Sequence, residues 1–159
     1  MSAQNLQDSL YRTSTLRIGS LIMAVVSLVD RRMRVLIADD HSVVRSMVRS
    51  TLQQHPHLVV CGEAKDGAEA VELAKKIKPD VTVLNIIMPV LNGFDAAREI
   101  KRQVPQSAIV ILSTHADRFF IEEAKKAGVR AYVAKSKVGE ALIKAIEAAV
   151  KGEDFILLE

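Results

Sequence analysis

A chain of 159 residues, 49% hydrophobic and 26% charged, is long enough to bury one core and too apolar for a disordered tail. The net charge of only +3, despite a pI near 9.1, is a weak footprint for nucleic acid, and no interleaving of aromatic and basic residues strengthens it. A single cysteine, Cys61, excludes an intrachain disulfide.

Residues 1–33 stand apart. Leu16 to Val29 is mostly apolar, but Gly19, Ser20 and Ser27 interrupt it and it is too short to cross a bilayer. Arg12 and Arg17 ahead of Leu21-Ile22-Met23-Ala24-Val25-Val26 give a faint signal-peptide pattern. The segment equally suits an extra helix against this domain or another copy, and Met33 lies where a shorter chain would start. We read residues 1–33 as an extension outside the core.

From there apolar strand runs and helical periodicities alternate. Val35 to Ala38 reads as a buried strand that ends in Asp39-Asp40, and Val44, Met47, Val48, Thr51 and Leu52 follow at helical spacing. Leu58 to Ala64 is the second strand, with Cys61 expected to be buried in it. Asp66-Gly67-Ala68-Glu69 has the acid-x-x-Glu form of a helix start, Ala70, Leu73, Ala74 and Ile77 line one face, and Pro79 ends the helix. Val81 to Leu84 leads to Asn85, then Met88-Pro89 and Gly93. Asn92 is placed to cap a helix that carries Ala97, Ile100 and Val104 and stops at Pro105. Ile109 to Leu112 ends in Ser113-Thr114. A helix from about Asp117 to Ala127 precedes Gly128, which suits a left-handed C-terminal residue. Ala131 to Ala134 ends in Lys135, and Leu142, Ile143, Ile146, Ala149 and Val150 mark the last helix. After Gly152 only Phe155-Ile156-Leu157-Leu158 remains as an apolar run. Five strand–helix alternations predict an α/β, doubly wound parallel sheet.

In such sheets ligands bind beyond the carboxyl ends of the strands. Two acids, an amide, a hydroxyl and a lysine are predicted there, a set suited to phosphoryl transfer onto a carboxylate, except that the carboxylate is missing. The acid pair Asp39-Asp40, Asn85-x-x-Met-Pro-x-x-x-Gly ending at Gly93, Ser113 and Lys135 together resemble the receiver domain of two-component response regulators. Leu36-Ile37-Ala38-Asp39-Asp40-His41-Ser42-Val43-Val44-Arg45 is most similar to regulators that carry a helix-turn-helix output domain. The departure is Asn85, which stands where the family places its phosphoryl-accepting aspartate.

The resemblance implies a flavodoxin-like (βα)5 sheet of strand order 2-1-3-4-5, with the receiver over 34–151 and a tail over 152–159. It implies Mg2+ held by Asp40 directly and Asp39 through water, with the carbonyl of Ile87 and the amide oxygen of Asn85 as further ligands. Lys135 and Ser113 would contact the phosphoryl group, and Tyr132 resembles the switch aromatic, with an ordinary packed tyrosine as its other reading. Without a carboxylate at Asn85 no acyl phosphate is expected and the Mg2+ site is expected to be weak. Implied partners are a sensor histidine kinase or phosphotransfer protein and a possible homodimer, in the cytoplasm, with neither nucleic acid nor membrane bound by this domain. Signals are expected to leave through the fourth helix, fifth strand and fifth helix.

Two other functions compete. One is a phosphorylation-independent pseudo-receiver that serves as an interaction module. The other, a flavin- or nucleotide-binding enzyme, is disfavoured, because Asp39-Asp40 occupies the turn where a glycine-rich phosphate loop would lie; no enzyme activity is expected. His55 and His57, either side of Pro56, lack metal-ligand spacing. His41 and His115 are read as bystanders at the site mouth. Ser136 follows Lys135 where some relatives have proline, so the sequence gives no ground for a cis peptide there.

Overall fold

A computed structural model describes residues 20, 21, 23, 31–115 and 117–158. The chain divides into two units, Met1–Arg32 and Met33–Glu159. In the first unit only five residues are described, so the expectations for the extension fall outside the described residues.

The second unit alternates β1 (Met33–Ala38), α1 (Ser42–Gln53), β2 (Leu58–Ala64), α2 (Gly67–Ile77), β3 (Val81–Leu84), α3 (Gly93–Gln103), β4 (Ala108–Ser113), α4 (Arg118–Lys126), β5 (Ala131–Ala134), α5 (Val138–Lys151) and β6 (Phe155–Leu157). The sheet runs β2-β1-β3-β4-β5-β6, and every described pairing is parallel. This is the expected 2-1-3-4-5 order with one strand added. Phe155–Leu157, read from sequence as tail, pairs with β5 from Ala131↔Phe155 to Val133↔Leu157. The sheet thus takes in residues on both sides of 34–151, since Met33 pairs with Leu58.

Strand side chains alternate between two cores, which is why the strands read as unbroken apolar runs. Leu36, Leu84, Ile111 and Tyr132 face α2, α3 and α4 through Ala70, Ala97, Ile100 and Ala124. Val35, Ile37, Val83, Val110 and Val133 face α1 and α5 through Val48, Leu52, Leu142 and Ile146. Of the predicted helix-face residues, Met47 and Val150 are instead exposed, because each lies at the edge of its helix's apolar stripe rather than over the sheet.

The helix starts follow the caps read from sequence. Asp66 accepts from the Glu69 amide at 2.8 Å, while Glu69 reaches back to the Lys65 amide at 2.8 Å. Asn92 caps α3 through the Asp95 amide at 3.0 Å; Asp117, read from sequence as about the first residue of its helix, is instead the cap of α4, through the Phe119 amide at 3.1 Å. Gly128 adopts φ 79°, the left-handed exit expected of it. Cys61 is half-buried rather than buried, and that burial raises its thiol pKa.

Candidate functional site

The sheet reverses its direction of growth between β1 and β3, with α1 on one face and α2 and α3 on the other. That switch point opens a crevice at the carboxyl ends of the two strands. Asp39 and Asp40 leave β1 into it, and Asn85 leaves β3. Their backbones are tied by the Asn85 amide donating to the Ala38 carbonyl at 2.8 Å.

Asp39 is 2% exposed. Its Oδ1 accepts from the His41 amide at 2.9 Å, and the Lys135 ammonium, arriving from the end of β5, lies 2.6 Å from Oδ2. That contact is an ion pair whose angles fall outside those of a hydrogen bond, so buried Oδ2 has no hydrogen-bond donor. Arg45 braces the same turn by donating to the Asp39 carbonyl at 2.7 Å.

Asn85, also buried, spends its whole amide locally. Its Nδ2 donates to Asp40 Oδ1 at 3.0 Å and to the Ile87 carbonyl at 2.8 Å, and its Oδ1 accepts from the Ile86 amide at 2.9 Å. Gly93 closes the loop. Its amide donates to the Ile86 carbonyl at 2.7 Å, and a Cβ there would lie 2.0 Å from the Asn85 carbonyl oxygen. Between them Val90 holds φ 68° in a turn where Leu91 N donates to the Pro89 carbonyl at 2.7 Å. A β-branched residue at that φ is a strained feature that sequence does not advertise.

Asp39, Asp40, Asn85, the Ile87 carbonyl and Lys135 therefore form one connected network. Ser113 and Tyr132 meet at a second place, the backbone of His115. The Ser113 hydroxyl accepts from the His115 amide at 3.1 Å, and the Tyr132 hydroxyl donates to the His115 carbonyl. Burial pushes the Tyr132 phenol up, against a smaller opposing pull from Ser113.

Both histidines read as bystanders make contacts beside the site. His41 Nδ1 lies 3.1 Å from Asp40 Oδ1 and 3.4 Å from Asp39 Oδ1, because the turn after β1 folds its ring back over the acid pair. His115 stacks on Phe120 with ring centroids 4.6 Å apart, which fixes the loop between β4 and α4. Arg45, quoted from the sequence only as part of a motif and given no role there, lies one helical turn after His41.

As to the ion that the resemblance implies, Asp39, Asp40 and His41 form a cluster with ligand atoms within 4.8 Å of one another. Buried Asp39 Oδ2 suits a positive charge, which the Lys135 ammonium already supplies at 2.6 Å. The Asn85 and Ile87 oxygens fit the ion less well, since the first accepts from the chain and the second is bonded by the amide.

The profile of the response regulator receiver domain matches residues 35–147. The chain belongs to this family. It is 32% identical over 127 residues to the transcriptional regulatory protein DegU of Brevibacillus brevis, covering 80% of this chain and 54% of that protein. It is 39% identical over 115 residues to the chemotaxis protein CheY of Thermotoga maritima, covering 70% of this chain and 95% of that one. A crystal structure of a LuxR-family two-component response regulator from Aurantimonas sp. SI85-9A1 superposes with a TM-score of 0.74 at 32% identity, over 78% of this chain and 89% of that one. The receiver spans about half the length of the transcriptional regulators it matches, 54%, 56% and 57% of the first three. Receiver domains interact with histidine kinases or phosphotransfer proteins and bind Mg2+ through an acidic pocket. Among the described residues no helix is long and apolar enough to cross a membrane.

Proposed function

We propose that this receiver docks on a histidine kinase or phosphotransfer protein in the cytoplasm without accepting its phosphoryl group. The observation that carries this reading is the Asn85 amide at the acceptor position, donating to Asp40 and the Ile87 carbonyl. An amide oxygen is neutral and a poor nucleophile, and this one already accepts a backbone hydrogen bond. Phosphoryl transfer depends on a placed nucleophile and on neutralised charge. Asn85 removes the first.

The remaining residues keep the roles that the family resemblance suggests. Asp39 and Asp40 are the acids toward Mg2+, with Asn85 and the Ile87 carbonyl as further oxygens. The ion's contribution when bound is to neutralise phosphoryl oxygens. Its hold is weakened here, because one negative charge is gone and the amide occupies two of the site's oxygens. Lys135 and Ser113 stand where a phosphoryl group would be sensed, and Tyr132 is the switch aromatic beside them.

The pseudo-receiver reading, an interaction module that works without phosphate, draws support from the same network, which satisfies the crevice internally. Both readings predict one result. Incubated with magnesium and a small-molecule phosphodonor, the chain keeps its intact mass, whereas Asn85→Asp gains an acid-labile phosphoryl group. Labelling of the parent chain, or a silent Asp variant, contradicts the proposal.

A further inference from the structure

We infer that Arg45 is the positioning residue of the acid pair: a guanidinium from α1 that, itself held by Glu63 of β2, sets where Asp39 and Asp40 stand in the crevice. The inference rests on reading those two acids as the ones toward Mg2+, and not on whether Asn85 accepts a phosphoryl group.

The backbone gives the first support. The peptide joining Ala38 to Asp39 is held by the sheet on both sides. Its carbonyl accepts from the Asn85 amide at 2.8 Å, and its N–H donates to the Ala64 carbonyl at 3.1 Å. The next peptide, from Asp39 to Asp40, lies past the last paired residue of β1. Its carbonyl is taken by Arg45 Nη1 at 2.7 Å. A peptide unit is planar, so holding that oxygen orients the plane that carries both α-carbons. One side chain thus aims both acids.

Arg45 is in turn aimed by its neighbours. Its Nε donates to Glu63 Oε2 at 3.3 Å, and Glu63 pairs in register with Ile37, two residues before Asp39. Arg49, one helical turn on, takes the other Glu63 oxygen. The planar fork of Arg45 reaches a carbonyl and a carboxylate at once, which the point charge of a lysine does not. Helix α1 needs such a tie. It starts at His41 with no side-chain cap, whereas α2, α3 and α4 are capped by Asp66, Asn92 and Asp117. Arg45, in its first turn, fastens the helix to the acid turn.

The consequence reaches Asp40. Its Oδ1 accepts from Asn85 Nδ2 at 3.0 Å, a contact that depends on where the Asp39–Asp40 peptide places the Asp40 α-carbon. Residues that orient metal-binding carboxylates without touching the ion govern affinity through such placement.

The test uses the full chain and two substitutions one helical turn apart. Arg45→Met keeps the apolar stem and removes both donations, whereas Arg49→Met removes only a partner of Glu63. In NMR of the metal-free chain, the Asn85 Nδ2 proton donated to Asp40 should shift and exchange faster in Arg45→Met, while Arg49→Met leaves it in place. In the Asn85→Asp background, calorimetric titration should show Mg2+ bound about tenfold more weakly with Arg45→Met and unchanged with Arg49→Met. Arg45→Lys, the variant to use if Arg45→Met fails to fold, keeps one donor and should fall between them; a lysine variant that matches the parent counts against the inference. The inference is overturned if Arg49→Met moves both readouts as far as Arg45→Met, which marks a structural role shared by the cluster. It is equally overturned if Arg45→Met leaves the Asn85 proton or the Mg2+ affinity where it was. Absence of Mg2+ binding in Asn85→Asp itself would refute the reading of the acids, and the amide signals of the metal-free chain would still decide the role of Arg45.

Discussion

The two sides of the crevice differ in how their polar groups are satisfied. At the ends of β1 and β3 the Asn85 amide closes the acid pair and the loop after it into a self-contained network. At the ends of β4 and β5 Ser113 and Tyr132 are buried and bonded to the His115 backbone, and the part-buried Lys135 ammonium pairs with Asp39. On the proposed reading one side lacks an acceptor while the other keeps its geometry. The second side has packing value in its own right, because Tyr132 belongs to the core and Lys135 offsets a buried acid.

Lys135→Met is the harshest way to separate the two sides. It strands the Asp39 carboxylate, whose side chain is 3% exposed, and loss of one partner of a buried pair costs about 3 kcal/mol or more. Urea denaturation should show that loss, and a change near zero would mean that water screens the pair. Gly93→Ala comes next, at about 2 kcal/mol or more of overpacking, because the new Cβ meets the Asn85 carbonyl oxygen. Its damage should be confined, by hydrogen exchange, to the loop from Asn85 to Gly93.

Much of this was legible in the sequence, and the exceptions are instructive. The strand runs and the helix starts at Asp66 and Asn92 act through local chemistry, so their residues announce them. The site residues were legible because each ends a strand, and a parallel sheet gathers such ends on one rim. β6 was not legible: three residues carry no periodicity, and Phe155–Leu157 becomes a strand only because β5 presents an open edge. The His41 contact depends on how the turn after β1 folds, and the φ of Val90 on a loop closed at Gly93. Neither leaves a mark in residue type.

Asn85→Asp probes the β1–β3 side with a smaller effect. Three carboxylates crowding one crevice without metal disfavour at least one anion, so in chelator this variant should be less stable than the parent by about 1 kcal/mol. Magnesium should narrow the difference, because binding to the folded Asp form stabilises it. Equal denaturation midpoints in chelator would count against that repulsion.

Tyr132→Phe probes the β4–β5 side most gently, removing the bond to the His115 carbonyl for about 1 kcal/mol at neutral pH. The phenol's folded pKa lies above its unfolded value of 10.0, so the unfolded chain loses its proton first as pH rises. Tyr132 therefore contributes fully below pH 10 and destabilises progressively above it. The parent should lose stability faster than Tyr132→Phe in that alkaline window, and parallel curves would refute the assignment.

The most direct test of the difference between the two sides is amide NMR with a beryllium fluoride phosphoryl mimic. In Asn85→Asp with magnesium and the mimic, shifts should gather at Ser113, Asp117 to Ala127 and Tyr132, as a population shift toward the phosphate-stabilised state requires. In the parent chain the same additions should move none of these signals. Identical shifts in the parent, or shifts in the Asp form confined to Ala68 to Ile77, would contradict the proposal of a crevice without an acceptor beside an intact sensor.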